Sequence, residues 1–331
     1  MIGHIKALLF GTILYGILVL ILNSTTIMKI LVAYDGSDYA IEAVDDLLFA
    51  GLPDKCKAVV LSVTDDYYPL LAPGSSGIVA EYISLEEMDS DMVSKPLRES
   101  VINAKEGADL IQELFPSWQV SAETNIGAPA TAILEKANEF KPNLIVIGSH
   151  GRTGLKKFFL GSVSLKVLSG AHSSVRLARK HDKKANPLKV LVGYDGSQDA
   201  EKVIKVLEHR NFPPDTTIKL VSALEIYYAP SLPYSAVAVE EALIESMTER
   251  ERLFGENLTK VAQRLQLRYP NTDWDIIRGN AKHTLLDVAT KWGADEIFVG
   301  ARGMTNLERI FLGSVSSFVA GHAHCTVEVV R

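Results

Sequence analysis

GSHGRTGLKKFFLGSVS at 148–164 and GARGMTNLERIFLGSVS at 300–316 carry one pattern, written twice in one chain. Each reads Gly, two residues, Gly, nine residues, Gly-Ser, and the copies align without a gap. Gly148, Gly151, Thr153, Leu155, Phe159 and Leu160 match Gly300, Gly303, Thr305, Leu307, Phe311 and Leu312; the run Gly161 to Ser164 repeats as Gly313 to Ser316. Chance does not preserve such spacing. Upstream, KILVAYDGS (29–37) recurs as KVLVGYDGS (189–197). The offset is 160 at this pair and 152 at the glycine pattern, so the first copy holds about eight more residues in between, placed in the Pro/Gly/Ser stretch Pro69 to Gly77. A repeat this long marks duplicated domains, and 331 residues is about the length of two.

Within each copy, strand and helix patterns alternate. In the first copy Ile30 to Ala33 is a short apolar run that reads as a buried strand. Ser37 is a plausible N-cap for a helix carrying Ala40, Ala43, Val44, Leu47 and Leu48 and ending at Gly51. Ala58 to Val63 is a second strand, a long helix runs from near Glu86 to Phe115, and strands follow around Val120, at Leu144 to Ile147 and at Val175 to Ala178. The second copy repeats the order, with its long helix over Val237 to Leu267. Near-continuous apolar strands alternating with helices predict an α/β fold: two tandem, doubly wound, parallel-sheet, Rossmann-like domains. Their expected extents are 28–180 and 188–331, joined by a charged linker at 181–187 that ends in proline.

The chemistry sits at the carboxyl ends of the strands, where such sheets bind ligands. Gly148 and Gly151, like Gly300 and Gly303, let backbone approach a ligand with no Cβ in the way. Gly161-Ser162-Val163-Ser164 and Gly313-Ser314-Val315-Ser316 open helices, whose free N–H groups and dipole favour an anion. A polyphosphate fits both features. Asp35 and Asp195 end the first strands on the same edge. Either they serve the turn beside Gly36 and Gly196, or they hydrogen-bond a base or ribose. No Gly-x4-Gly-Lys-Ser/Thr loop is present, and no obvious catalytic carboxylate pairs with the phosphate loop, so slow or absent turnover is expected.

On these motifs the chain resembles the universal stress protein family, twice over and across nearly all of residues 28 to 331. In that family the pattern G-x2-G-x9-G-[S/T] marks the members that bind ATP on an adenine-nucleotide alpha-hydrolase-like fold. The resemblance implies that Asp35 and Asp195 contact adenosine, that Val63 and its counterpart Ala223 pack on adenine, and that Ser164 and Ser316 reach phosphate or ribose oxygens. Arg152 would add a charge near phosphate where the second copy has Met304, and Ala223 is smaller than the usual valine. The N-terminal site is therefore expected to bind more tightly. The ligand would be ATP, ADP or AMP, with Mg²⁺ left open, and the role a stress-response module read by a regulatory partner protein rather than an enzyme. The family pairs domains through their last strands, which makes Ser174 to Ala178 and Thr326 to Val330 the edges for intrachain packing or a homodimer. A slow ATPase or a nucleotidyl-transfer enzyme is the alternative, although no H-x-G-H-type signature is present.

Composition narrows the partners. The formal net charge of -6 gives no electrostatic reason for nucleic-acid binding. The densest basic stretch, Arg179 to Lys184, reads as a solvated linker. Two distant cysteines, Cys56 and Cys325, form no disulfide framework; they fit a reducing, cytoplasmic setting and read as small core residues. His322-Ala-His324-Cys325 has metal-like residue types, yet the first copy has Ala171-His172-Ser173-Ser174 there, and a loop histidine explains it better than a metal site. The charged helix segment Glu240 to Arg252 reads as a solvated face. Residues 1–27 contain an uncharged run from Ala7 to Leu22, which is short for a membrane span. Three readings stay open: translation that starts at Met28, an anchor over residues 5–22 tethering an accessory protein to a membrane, and a cleaved signal.

Overall fold

The computed structural model of the chain describes residues 27–65, 94–151, 160–180, 187–225, 237–303 and 312–331. The first half contains β1 (Met28–Ala33), α1 (Asp38–Asp46), β2 (Cys56–Thr64), α2 (Lys95–Leu114), β3 (Gln119–Ile126), α3 (Pro129–Phe140), β4 (Leu144–Gly148), α4 (Ser162–Gly170) and β5 (Ser174–Ala178). The second contains β6 (Lys189–Gly193), α5 (Gln198–Glu208), β7 (Thr217–Leu224), α6 (Val237–Gln266), β8 (Thr272–Arg278), α7 (Ala281–Trp292), β9 (Glu296–Gly300), α8 (Ser314–His322) and β10 (Thr326–Val330). Local sequence explains most boundaries. Ser37 and Ser197 cap α1 and α5 by accepting from Ala40 and Ala200 N–H, and Pro129 supplies the fixed φ that suits a first helical turn. The helix expected from near Glu86 is described from Lys95, capped by Ser94. Helix α1 ends at Asp46, and the chain then turns through Leu47 to Gly51, where Gly51 takes φ 58°. A Cβ at Gly51 would lie 2.7 Å from Phe212 of the other half. The extra residues assigned to Pro69–Gly77, and the apolar N-terminal run, lie outside the described residues.

All ten strands form one sheet in the order β3-β2-β1-β4-β5-β10-β9-β6-β7-β8. Every neighbouring pair is parallel except β5 with β10, which run antiparallel with Arg176 opposite Glu328. In each half the strand order reverses beside the first strand, between β1 and β4 and between β6 and β9. The last strands thus pair within the chain, as one of the two expected arrangements had it, and their edges are consumed; a homodimer has to use another surface.

Side chains alternate across β5 and β10, and the two faces of the junction differ. On one face Val175, Leu177, Val327 and Val329 join a single core with α3, α4, α7 and α8 that crosses both halves. On the other face two apolar cores, one under α1 and α2 and one under α5 and α6, stay separate. Between them lies a buried charge cluster. Arg176 is fully buried and donates to Asp46 at 2.5 Å, Glu296 at 2.9 Å and Glu328 at 3.2 Å. Arg210 pairs with Glu328 and donates to the Ala50 carbonyl at 2.9 Å. Thr326 Oγ1 donates to Asp46 at 2.7 Å. Burial alone would depress the Arg176 guanidinium, but Asp46, Glu296 and Glu328 together hold it well above the ordinary arginine range.

The solvated reading of the basic stretch Arg179 to Lys184 fails at its first residue. Arg179 reaches across the junction, donating to the carbonyls of Cys325 at 3.1 Å and Ala320 at 2.6 Å. Residues 181–186 lie outside the described residues. Cys56 and Cys325 are free and buried, and burial pushes both thiols up to about 12, as the core reading requires. In the charged helix face, Arg252 pairs with Glu249 and Glu256 at half-exposed positions.

Removing one member of a buried ion cluster strands the rest. Arg176→Ala is therefore expected to lower unfolding stability by roughly 3–5 kcal/mol in urea titrations; a loss under about 1 kcal/mol would show that water replaces the guanidinium.

Candidate functional site

Each half opens a cavity at the carboxyl end of its strands, beside the reversal in strand order, of about 400 Å³ in the first half and 390 Å³ in the second. Asp35, Val63, Gly148, Gly151, Gly161, Ser162, Val163 and Ser164 line the first. Asp195, Ala223, Gly300, Gly303, Gly313, Ser314, Val315 and Ser316 line the second. Arg152 and Met304 lie outside the described residues. The structure thus places two equivalent sets of eight of the named residues in two clefts.

The glycines turn out to serve packing. A Cβ on Gly148 would lie 2.6 Å from the Tyr39 carbonyl oxygen, and one on Gly300 would lie 2.8 Å from the Asp199 backbone. These glycines let β4 and β9 end against the first turns of α1 and α5. A Cβ on Gly151 would meet the Asp35 carboxylate at 3.2 Å, and one on Gly303 the Asp195 carboxylate at 2.7 Å. The aspartates themselves do turn work: Asp35 accepts from Ser37 N–H at 3.0 Å and from its hydroxyl at 2.6 Å, and Asp195 accepts from Ser197 N–H at 3.0 Å. These bonds use Oδ1 of each aspartate, and Oδ2 is the atom nearest the glycine loop.

Ser164 and Ser316, expected to reach a ligand, are buried and tie the loop down. Ser164 donates to Gly148 at 2.8 Å; Ser316 donates to Ala301 at 2.9 Å. The helix openings differ in kind. Gly161 and Gly313 cap α4 and α8 with extended backbone and no side-chain acceptor, leaving the first-turn N–H groups to whatever enters the cavity. Beside those amides lies an apolar slot: Leu61, Val63 and Ile133 in the first half, Val221, Ala223 and Leu285 in the second.

Some lining residues escaped the sequence reading. His150 and Arg302 occupy the same variable position inside the Gly-x-x-Gly pattern, where a search for shared residues is blind. His150 packs on Tyr39 with ring centroids 5.0 Å apart and shares a hydrogen bond between Nδ1 and Ser149 at 3.1 Å. Its Nε2 is buried with no hydrogen-bond partner among the described residues, an atom that a polar ligand would satisfy. Arg302 instead pairs with Asp199, which stands where Tyr39 does, at 2.9 Å. The loop-to-helix contact is kept while its chemistry changes on both sides. Among the described residues no group of three His, Cys, Asp or Glu side chains could hold a metal ion. His322 stacks on Phe318 with ring centroids 4.1 Å apart.

The model of the universal stress protein family matches residues 26–179 and again residues 188–331. The chain belongs to the universal stress protein family. It is similar to a universal stress protein of Methanocaldococcus jannaschii, at 28% identity over 47% of this chain and 84% of that one. A universal stress protein of Mycobacterium bovis is 29% identical over 64% of this chain and 69% of its own. The crystal structure of a universal stress protein from Archaeoglobus fulgidus superposes with a TM-score of 0.52 at 18% identity, covering 92% of this chain and 96% of that one. That likeness concerns the fold. No helix among the described residues is long and apolar enough to cross a membrane.

The paired Asp199 gives this universal stress protein an acid-sensitive contact at its second cavity. Burial would raise the carboxyl, but hydrogen bonds from Lys202 and Arg302 outweigh it and hold the group below its ordinary 3.8. A depressed folded value means the pairing stabilises above the unfolded carboxyl's range and is lost as pH falls through about 4 and below. Asp199→Asn should therefore flatten the acid limb of the stability curve, measured by thermal unfolding from pH 6 to pH 3; an unchanged slope would remove Asp199 from the linkage.

Proposed function

We propose that each half of this universal stress protein binds one adenine nucleotide, and that occupancy rather than turnover is its output. One observation carries the reading. In both cavities a helix capped only by glycine presents its first-turn amides beside an apolar slot, within a volume suited to a small ligand. Phosphates would take the amides of Ser162, Val163 and Ser164 or of Ser314, Val315 and Ser316. The base would enter the slot against Val63 or Ala223, and the ribose would lie toward Asp35 or Asp195. Any Mg²⁺ would be held through phosphate oxygens, since the described residues offer no cation-binding cluster of their own.

The two cavities are nearly equal in volume, and Arg302 brings the second a guanidinium. The expected advantage of the first cavity then rests on Val63 against Ala223 and on Arg152. A nucleotide bridging the glycine loop and the helix opening would shift the balance of conformations that a partner protein reads. Differential binding of that kind needs no hydrolysis, and the described residues that line the clefts include no lysine.

Calorimetric titration of the protein with ATP, ADP, AMP and cyclic AMP tests this. Near two equivalents are expected. Gly151→Val and Gly303→Val each drive a branched side chain into an aspartate carboxylate and should each abolish one equivalent, with phosphate release from ATP staying slower than one turnover per hour. A folded protein that binds none of the four would overturn the reading.

A further inference from the structure

The residue after each last strand reaches into the other half. Arg331 donates to the Leu168 carbonyl at 2.5 Å, near the end of α4. Arg179 donates to the Ala320 carbonyl at 2.6 Å, near the end of α8. The two contacts are repeat equivalents at the offset of the glycine pattern, so the exchange is reciprocal. Leu168 and Ala320 each lie in the last turn, where carbonyls lack intrahelical partners and a cation is favourable. Burial lowers both guanidinium groups from the ordinary arginine range; the bonds to carbonyls compensate a desolvated charge rather than decorate a surface.

The other ends of these helices are the cavity openings. Nine residues span about 13 Å, so α4 joins Arg331 of the second half to the first cavity, and α8 joins Arg179 of the first half to the second. The strand residue before each arginine is also bound to the glycine loop of its own half. Ser149 N–H donates to the Ala178 carbonyl, next to Arg179, at 3.1 Å, and Ala301 N–H donates to the Val330 carbonyl, next to Arg331, at 2.8 Å. At the second cavity Arg302 and Asp199 also act on the Arg331 charge, with opposite signs.

We propose that Arg331 and Arg179 are crossed positioning residues: Arg331 sets the anion-binding end of α4 in the first cavity, and Arg179 that of α8 in the second, coupling the two sites through the junction. The proposal rests on the nucleotide reading for its ligand, but not for its geometry. A shift of either glycine loop passes through two hydrogen bonds and a short helix to the opposite cavity, which binds the same ligand class. Coupling of this kind is mutual by linkage.

The test uses the full chain in two single-site backgrounds, Gly303→Val (first cavity alone) and Gly151→Val (second cavity alone). Arg331→Ala should weaken ATP binding about threefold to tenfold in the first background and change it less in the second, where only its charge beside Arg302 and Asp199 is lost. Arg179→Ala should weaken binding by a similar factor in the second background and less in the first. Arg331→Lys should recover part of the affinity, since an ammonium still caps the carbonyl. Hydrogen exchange of α4 and α8 is measured on the same variants without nucleotide. Faster exchange in α4 for Arg331→Ala and in α8 for Arg179→Ala supports the proposal even if the protein binds no ATP, an outcome that would sink the nucleotide reading alone. Losses confined to the mutated residue's own half, or exchange unchanged in the opposite helix, overturn it.

Discussion

At the centre of this molecule a fully buried guanidinium, Arg176, is shared among three carboxylates drawn from α1, β9 and β10. The two halves could have met through valines alone, as they do on the opposite face of the same strands. A purely apolar contact tolerates slippage by two residues and reversal of partners. Opposing Arg176 to Glu328 in the antiparallel register removes that freedom, because a two-residue slip would set Arg176 opposite Thr326 or Val330 and leave buried charges without their partners. Burying five charged side chains is costly in itself, and the gain is in specificity of pairing more than in raw stability. Since Arg176 and Glu328 are repeat equivalents of opposite sign, the charge pattern also disfavours joining two first halves or two second halves edge to edge.

That junction sits close to both cavities. The sheet is narrow at this point: β4 and β9 carry the glycine loops, β5 and β10 pair beside them, and α4 and α8 are short. Helices of nine residues have one end in a cavity and the other at the junction. The architecture therefore places the ligand clefts and the domain contact within one helix length of each other, which is the physical basis for treating the two halves as one responsive unit.

Duplication has preserved the shape of the cavities while exchanging their contents. Ala33 and Ile133 of the first half correspond to Gly193 and Leu285 of the second, where a Cβ on Gly193 would lie 2.9 Å from Leu285. Isoleucine and leucine are isomers of equal size, but Leu285 reaches toward the place a Cβ on Gly193 would take, so shape is exchanged rather than bulk. Tyr39 with His150 and Asp199 with Arg302 are a second such pair, an aromatic contact in one half and an ion pair in the other. Compensation of this type explains why the two volumes agree closely although the lining differs.

The sequence by itself determined the duplication, the alternation of strands and helices and the two glycine loops with their helix openings, because glycine spacing and apolar periodicity are local and repeat in register. Val63 and Ala223 were named only through the family resemblance. It also carried the α1 and α5 caps, since Ser37 and Ser197 act within one turn. It was silent on His150, Arg302 and the two crossing arginines. The first two differ between copies and so leave no repeated signal. Arg179 looked like the start of a polar linker because its partners, the carbonyls of Ala320 and Cys325, are backbone atoms more than 140 residues away. Ser164 and Ser316 line the cavities, and their hydroxyls also tie the glycine loops, a contact set by how closely loop and helix pack. Tertiary structure alone decided the single ten-stranded sheet, its buried charge cluster and the crossing of each half into the other, because side-chain pairing across a junction depends on register between distant strands, which no local pattern encodes.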